Sequence, residues 1–209
     1  MTSERRLWLV RHGETEGQSS IRYHGANDVP LSEVGRAQIR ALLPLLRGVH
    51  FAQVVHSPLV RAAESASILV AALTQQGFGV TNGQVRNDAR LREVSFGACE
   101  GMTREEIDVA FPAFWADHEA GNVDAFPGGE PRAEFAARIA AAVTELAAQP
   151  WQGDALLVAH RGTVRHAIVT LLADPDPPRA AYAVGLASVS VLRETVAGWQ
   201  LDLLGMTGG

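Results

Sequence analysis

The sequence predicts an α/β fold, a three-layer α/β/α arrangement around an open, mostly parallel central sheet. Three observations lead there. Short apolar runs alternate with longer stretches of helical periodicity along the chain. Clusters of glycine, proline and charged residues separate them. The length, 209 residues, suits one substantial core better than two.

The elements follow in order. "LWLV" (7–10) is an apolar run with a turn signal behind it, which reads as a buried strand. Ser32 is placed to cap a helix on which Val34, Ala37, Ala41, Leu42, Leu45 and Leu46 recur at helical spacing. Pro44 should kink or shorten that helix. "FAQVVH" (51–56) reads as a second strand, and "SPLVRAAESASILVAAL" as a second helix with Pro58 near its first turn. The stretch from about 98 to 130 has a different texture: a capping box from Thr103 to Glu106, aromatics around Pro112, then the loop "FPGGEP". It reads as a small helical lid inserted over something. Glu130-Pro131 opens the next helix, with Phe135, Ile139, Val143 and Leu146 on one face. "DALLVAH" is a third strand and "GTVRHAIVTLL" the helix after it. Pro175, Pro177 and Pro178 mark a loop, and "SVSVLRET" with "WQLDLLG" around Ala197-Gly198 marks a terminal hairpin. Residues 1–209 therefore read as a single domain.

Composition narrows the function. Apolar residues make up 47% and charged residues 20%, ordinary globular usage. A net charge of −5 speaks against nucleic acid or an anionic membrane as partner, so any anion must meet a local basic pocket. Cys99 is the only cysteine, which excludes an intrachain disulfide and a thiolate zinc site. No apolar run approaches the ~20 residues of a membrane span, and a cytoplasmic protein is the simplest reading. The terminal hairpin offers an edge for a possible homodimer.

In open α/β sheets, ligands sit beyond the carboxyl ends of the strands. Here those ends carry chemistry. The first strand runs into Arg11-His12-Gly13-Glu14, and the second into His56-Ser57-Pro58, with Arg61 one turn into the following helix. The third runs into His160-Arg161-Gly162, and "LREVSFGACEG" contributes Glu93. Two arginines facing one pocket repel each other unless an anion neutralises them, and the guanidinium fork suits phosphate oxygens. The expected ligand is a phosphate-like group with a histidine in reach as nucleophile. Adjacent cations would hold that imidazole neutral, and its other nitrogen would keep a proton on a backbone carbonyl.

The motifs "LVRHGETEG", "HGANDVPLSEVGRAQ", "SPLVRAAESA", "LREVSFGACEGMT", "PGGE" and "LLVAHRGTVR" stand in that order. In them the chain resembles the histidine phosphatase superfamily, also called phosphoglycerate-mutase-like. Its start, "RLWLVRHGETE", is similar to alpha-ribazole-phosphate phosphatases. The resemblance implies that His12 forms a phosphohistidine, while Arg11, Arg61 and His160 bind and polarise the phosphoryl group. It implies that Glu93 protonates the leaving oxygen and then helps activate water. It implies no metal and no cofactor. The Gly162 amide would be a further phosphate donor, and Gly25 would lie against the substrate. The chain departs from the pattern at Gln18, where asparagine is usual, and at His24, where glutamine or threonine is common. Arg161 stands where a small residue is common. Gln18, His24 and Arg161 are therefore candidate substrate contacts. Phe111, Phe114 and Trp115 read as the lid's own core.

The segment from Phe96 to Pro127 holds one arginine, Arg104, and no lysine. That is too little charge for a bisphosphorylated intermediate. The expectation is a phosphomonoester hydrolase acting on a small phosphorylated metabolite, ahead of a cofactor-dependent phosphoglycerate mutase. A metal-dependent hydrolase would need HExxH or paired-carboxylate spacing, which the chain lacks. A catalytically inactive phosphate-ester binding protein fits poorly with an intact His12, Arg61, Glu93 and His160.

Overall fold

The first apolar run becomes β1 (Arg6–Arg11), buried on both faces because successive side chains point to opposite sides. Leu7 and Leu9 enter one core; Trp8 and Val10 enter the other. β4 (Asp154–Ala159) divides in the same way, with Leu157 on one side and Leu156 and Val158 on the other. A run apolar at every position is what a strand covered from both sides requires. The computed structural model describes residues 5–80, 84–175, 177–178 and 180–208.

Four further strands complete the sheet: β2 (Phe51–His56), β3 (Val85–Asn87), β5 (Ser188–Thr195) and β6 (Gly198–Thr207). Their order is β3-β2-β4-β1-β5-β6. β1 to β4 pair in parallel, and β5 and β6 are antiparallel. β3 escapes sequence reading because three residues are too few to show a period. Two helices, α1 (Glu33–Ala41) and α2 (Val60–Gln75), cover one face. Two more, α5 (Arg132–Ala148) and α6 (Arg161–Leu172), cover the other.

Local chemistry sets the helix ends. Ser32 caps α1, its Oγ accepting the Gly35 N–H at 3.1 Å. The helix stops at Ala41, so Pro44 lies beyond its end and does not kink it. Pro58 likewise precedes α2 and lies outside its first turn. The α1 start also packs very closely on the loop after β1: a Cβ at Gly35 would sit 1.9 Å from the Glu14 carbonyl oxygen.

Between β3 and α5 lie α3 (Arg104–Ala110) and α4 (Phe114–Ala120), the expected small helical insertion. The Thr103–Glu106 capping box opens α3. Cys99, Ile107 and Phe114 form a separate small core, with Tyr23, Phe96, Phe111, Trp115 and Phe126 packed on it. No helix among the described residues is long and apolar enough to cross a membrane.

Candidate active site

β4 lies between β1 and β2, with Arg11 paired to Ala159 and His56 paired to Val158. The residues that follow these three strands therefore emerge side by side. His12 is held by its backbone on both sides: its N–H donates to Ala159 O (3.0 Å) and its carbonyl accepts from Ala187 (2.9 Å). The His12 and His160 rings lie 5.2 Å apart between centroids, their planes at 63°.

His12 Nδ1 lies 2.7 Å from its neighbour's carbonyl, Gly13 O. A carbonyl only accepts, so Nδ1 carries the ring proton and Nε2 keeps a free lone pair. Burial pushes the imidazole well below its usual pKa near 6.5, and Arg61 and Arg11 push it further in the same direction. The ring is thus neutral and nucleophilic at physiological pH. The cations act as the sequence suggested, but burial is the larger cause.

His160 is fully buried and its pKa is lowered in the same way, by burial first and then by Arg61, His12 and Arg11. Its Nε2 lies 2.7 Å from Ser57 Oγ, at the end of β2. Ser57 Oγ accepts the Leu59 N–H at 3.3 Å and has its own proton to give to Nε2. When Ser57 gives that proton to Nε2, Nδ1 is the ring's N–H donor; Nδ1 is buried with no partner among the described residues. The sequence places Ser57 at the end of the second strand but gives it no role.

Arg61, 1% exposed, points inward. Its two terminal nitrogens donate to Asn27 O (2.7 Å) and Gly25 O (2.6 Å), fixing the guanidinium plane. Arg11 donates to Val184 O at 2.9 Å, and burial lowers its pKa to about 10, which leaves it charged. Neither arginine has a carboxylate within bonding distance among the described residues. The Nε atoms of both are buried and unpartnered, as is Nδ1 of His24. Four orphaned nitrogens thus gather around the strand ends, where buried polar groups ordinarily find partners.

Glu93 sits opposite on the segment after β3. Its carboxylate accepts the Val94 N–H (Oε1, 3.0 Å) and the Gly162 N–H (Oε2, 3.0 Å). The segment is clamped from α5 by Arg138, which donates to the carbonyls of Arg90, Arg92 and Glu93 and pairs with Glu130 at 2.6 Å. Nothing in the local sequence pattern marks Arg138, because the carbonyls it holds lie 45 or more residues away.

A cavity of about 220 Å³ opens between these groups. Arg11, His12, His24, Gly25, Arg61, Glu93 and Arg161 line it, and Tyr23, Phe96 and Arg104 line its lid side. Two expected substrate contacts fall outside that lining. Gln18 is exposed; its backbone, at φ 59°, makes a turn whose carbonyl takes the Ile21 and Arg22 N–H groups. The Gly162 amide is already committed to Glu93. His24 is buried, and its Nε2 donates to the Gly17 carbonyl.

The family model for the histidine phosphatase superfamily (branch 1) matches residues 7–207. The chain belongs to that superfamily. Among histidine phosphatases it is similar to a glucosyl-3-phosphoglycerate phosphatase of Mycolicibacterium vanbaalenii, 35% identical over 188 residues, covering 82% of this chain and 76% of the relative. It is also similar to the adenosylcobalamin/alpha-ribazole phosphatase of Salmonella typhimurium, 32% identical over 176 residues and 81% of each chain. A mycobacterial glucosyl-3-phosphoglycerate phosphatase solved with inorganic phosphate superposes with a TM-score of 0.75 at 32% identity, covering 98% of both chains. The expected fold, three layers around a mostly parallel sheet, is the fold of this histidine phosphatase.

Proposed function

We propose that the chain hydrolyses a small phosphomonoester through a phosphohistidine on His12. The observation that carries this reading is the set of buried nitrogens on Arg11, Arg61 and His160, without partners among the described residues, around a neutral His12. Such a set satisfies an oxyanion with several oxygens and leaves the His12 Nε2 lone pair free to attack it. The relatives named as phosphatases of small phosphorylated metabolites support the same class.

In the first step Nε2 bonds to phosphorus as the ester oxygen departs, and Glu93 gives that oxygen its proton. Arg11, Arg61 and His160 Nδ1–H stabilise the charge on the equatorial oxygens. In the second step the Glu93 carboxylate takes a proton from water as that water attacks phosphorus. The N–P bond breaks, and inorganic phosphate leaves with His12 neutral again. Water is the acceptor in this reading because the lid offers one arginine, Arg104, and no lysine for a retained bisphosphate. The reaction needs no metal or cofactor in this scheme, and the reading includes a cytosolic setting.

Rapid quenching of the enzyme with p-nitrophenyl phosphate tests it. The expected result is a phosphoryl mass on the His12 peptide and a burst of nitrophenol, both absent in His12→Ala with steady-state activity abolished. Turnover by His12→Ala at an appreciable rate would overturn the covalent route. Efficient interconversion of phosphoglycerates with negligible phosphate release would overturn the hydrolase.

A further inference from the structure

One guanidinium at the cavity is left over after the phosphoryl group has been held. Arg161 lines the cavity yet makes no hydrogen bond or ion pair among the described residues. Its position is electrostatically unfavourable twice over. It is the first residue of α6, where the helix dipole disfavours a cation, and its charge bears directly on that of Arg11. Two other cations of the cavity lining have carboxylate partners: Arg22 pairs with Glu106 at 2.8 Å, and Arg104 lies 3.4 Å from Glu119 and stacks on Trp115.

Charge counting in the reactive state gives the same answer. Arg11, Arg61 and Arg161 are the cavity cations without a carboxylate partner, and Glu93 is neutral when it has a proton to give. A phosphoryl dianion offsets two of the three positive charges. One positive charge remains on the cavity wall. Tyr23 stands nearby, within the field of both Arg161 and Arg104. Its hydroxyl has no hydrogen-bond partner among the described residues, and burial raises its pKa, so it remains a neutral O–H donor.

We propose that Arg161 and Tyr23 form a second anion subsite, and that the substrate is a phosphomonoester whose alcohol portion carries one further negative group of carboxylate size. This deepens the hydrolase reading above and rests on it. A single guanidinium with one hydroxyl suits a carboxylate and is too little for a second phosphoryl dianion, which keeps the site distinct from that of a mutase.

A matched pair of esters tests the subsite: 3-phosphoglycerate, and glycerol 3-phosphate, in which a hydroxymethyl group replaces the carboxylate. The wild-type kcat/KM should favour 3-phosphoglycerate by about 10-fold or more, the scale of one charge-assisted hydrogen bond. Arg161→Gln should lower kcat/KM for 3-phosphoglycerate about 10-fold more than for glycerol 3-phosphate. Arg161→Lys should recover part of the preference, and Tyr23→Phe should lose a smaller part. Equal kcat/KM for the two esters in the wild type, or an equal loss on both in Arg161→Gln, would overturn the subsite. Turnover of p-nitrophenyl phosphate reports separately on the hydrolase. If no ester is turned over, calorimetric binding of the same pair still decides: stronger binding of 3-phosphoglycerate that Arg161→Gln abolishes supports the subsite, and equal binding overturns it.

Discussion

The cavity has a floor and a roof, built by different means. The floor is made of the residues that follow β1, β2 and β4, whose backbones are tied into the sheet or its extensions, together with Glu93 on the clamped segment after β3. The roof stands on the small aromatic core around Phe114 and Phe126, whose ring centroids lie 4.6 Å apart, independent of the two cores that flank the sheet. Side chains on rigid strand ends hold a geometry; a patch with its own small core can change shape without disturbing that geometry. In the proposed scheme the reaction therefore belongs to the floor, and the choice of ester to the roof and to Arg161. Each substitution below is a way of breaking or sharpening that division.

The largest effect is expected at the proton donor. Glu93→Gln should lower kcat for alkyl phosphates by about 10²–10⁴-fold and lower it far less for nitrophenyl phosphate, whose leaving group needs no proton. Equal losses on both would remove Glu93 from the floor's chemistry. Next, Arg61→Gln should reduce kcat about 10²–10³-fold on every ester alike, as expected for loss of one preorganised charge. A loss confined to some esters would blur the line between floor and roof. Circular dichroism of the variant separates this from unfolding, since the Gly25 and Asn27 carbonyls lose their donor.

Stability should respond to acid chiefly through the floor, with a smaller share from His166 on α6, whose pKa burial also lowers. His12 and His160 have folded pKa values well below the usual 6.5, so below that pH the unfolded chain binds more protons than the folded one. Stability then falls as pH falls, by up to about 1.4 kcal/mol per pH unit for each ring. Urea titrations from pH 7.5 to 5.5 read this slope, and His12→Asn should reduce it. A smaller effect is expected at the clamp: Arg138→Gln should lower kcat about 10-fold with little change in KM, and add nothing to Glu93→Gln. The smallest belongs to the roof, where Phe126→Ala should alter the ratio of KM values between esters by a few-fold while leaving kcat nearly level. If it lowered kcat as Arg61→Gln does, the roof would be part of the machinery.

The same division governs what the sequence could reveal. Arg11, His12, Arg61 and His160 were legible because each is fixed by one local event, the end of a strand or the start of a helix, and the parallel order brings those events together. Glu93 was legible by motif, but the Arg138 that steadies it was not, since a clamp across 45 residues leaves no local period. Gln18 misled because a left-handed backbone, rare for a non-glycine residue, turns the chain just where the side chain was expected to reach inward. Ser57 was hidden by its ordinariness: a serine before a proline reads as turn chemistry until a buried imidazole is found against its hydroxyl.

The 2.7 Å contact from His12 Nδ1 to the Gly13 carbonyl has a consequence for the product of the first half-reaction. Because the main chain occupies the pros nitrogen, a phosphoenzyme formed on His12 as proposed would be the tele isomer. Phosphorus NMR or an isomer-selective antibody applied to the quenched enzyme would read out a choice made by one peptide oxygen.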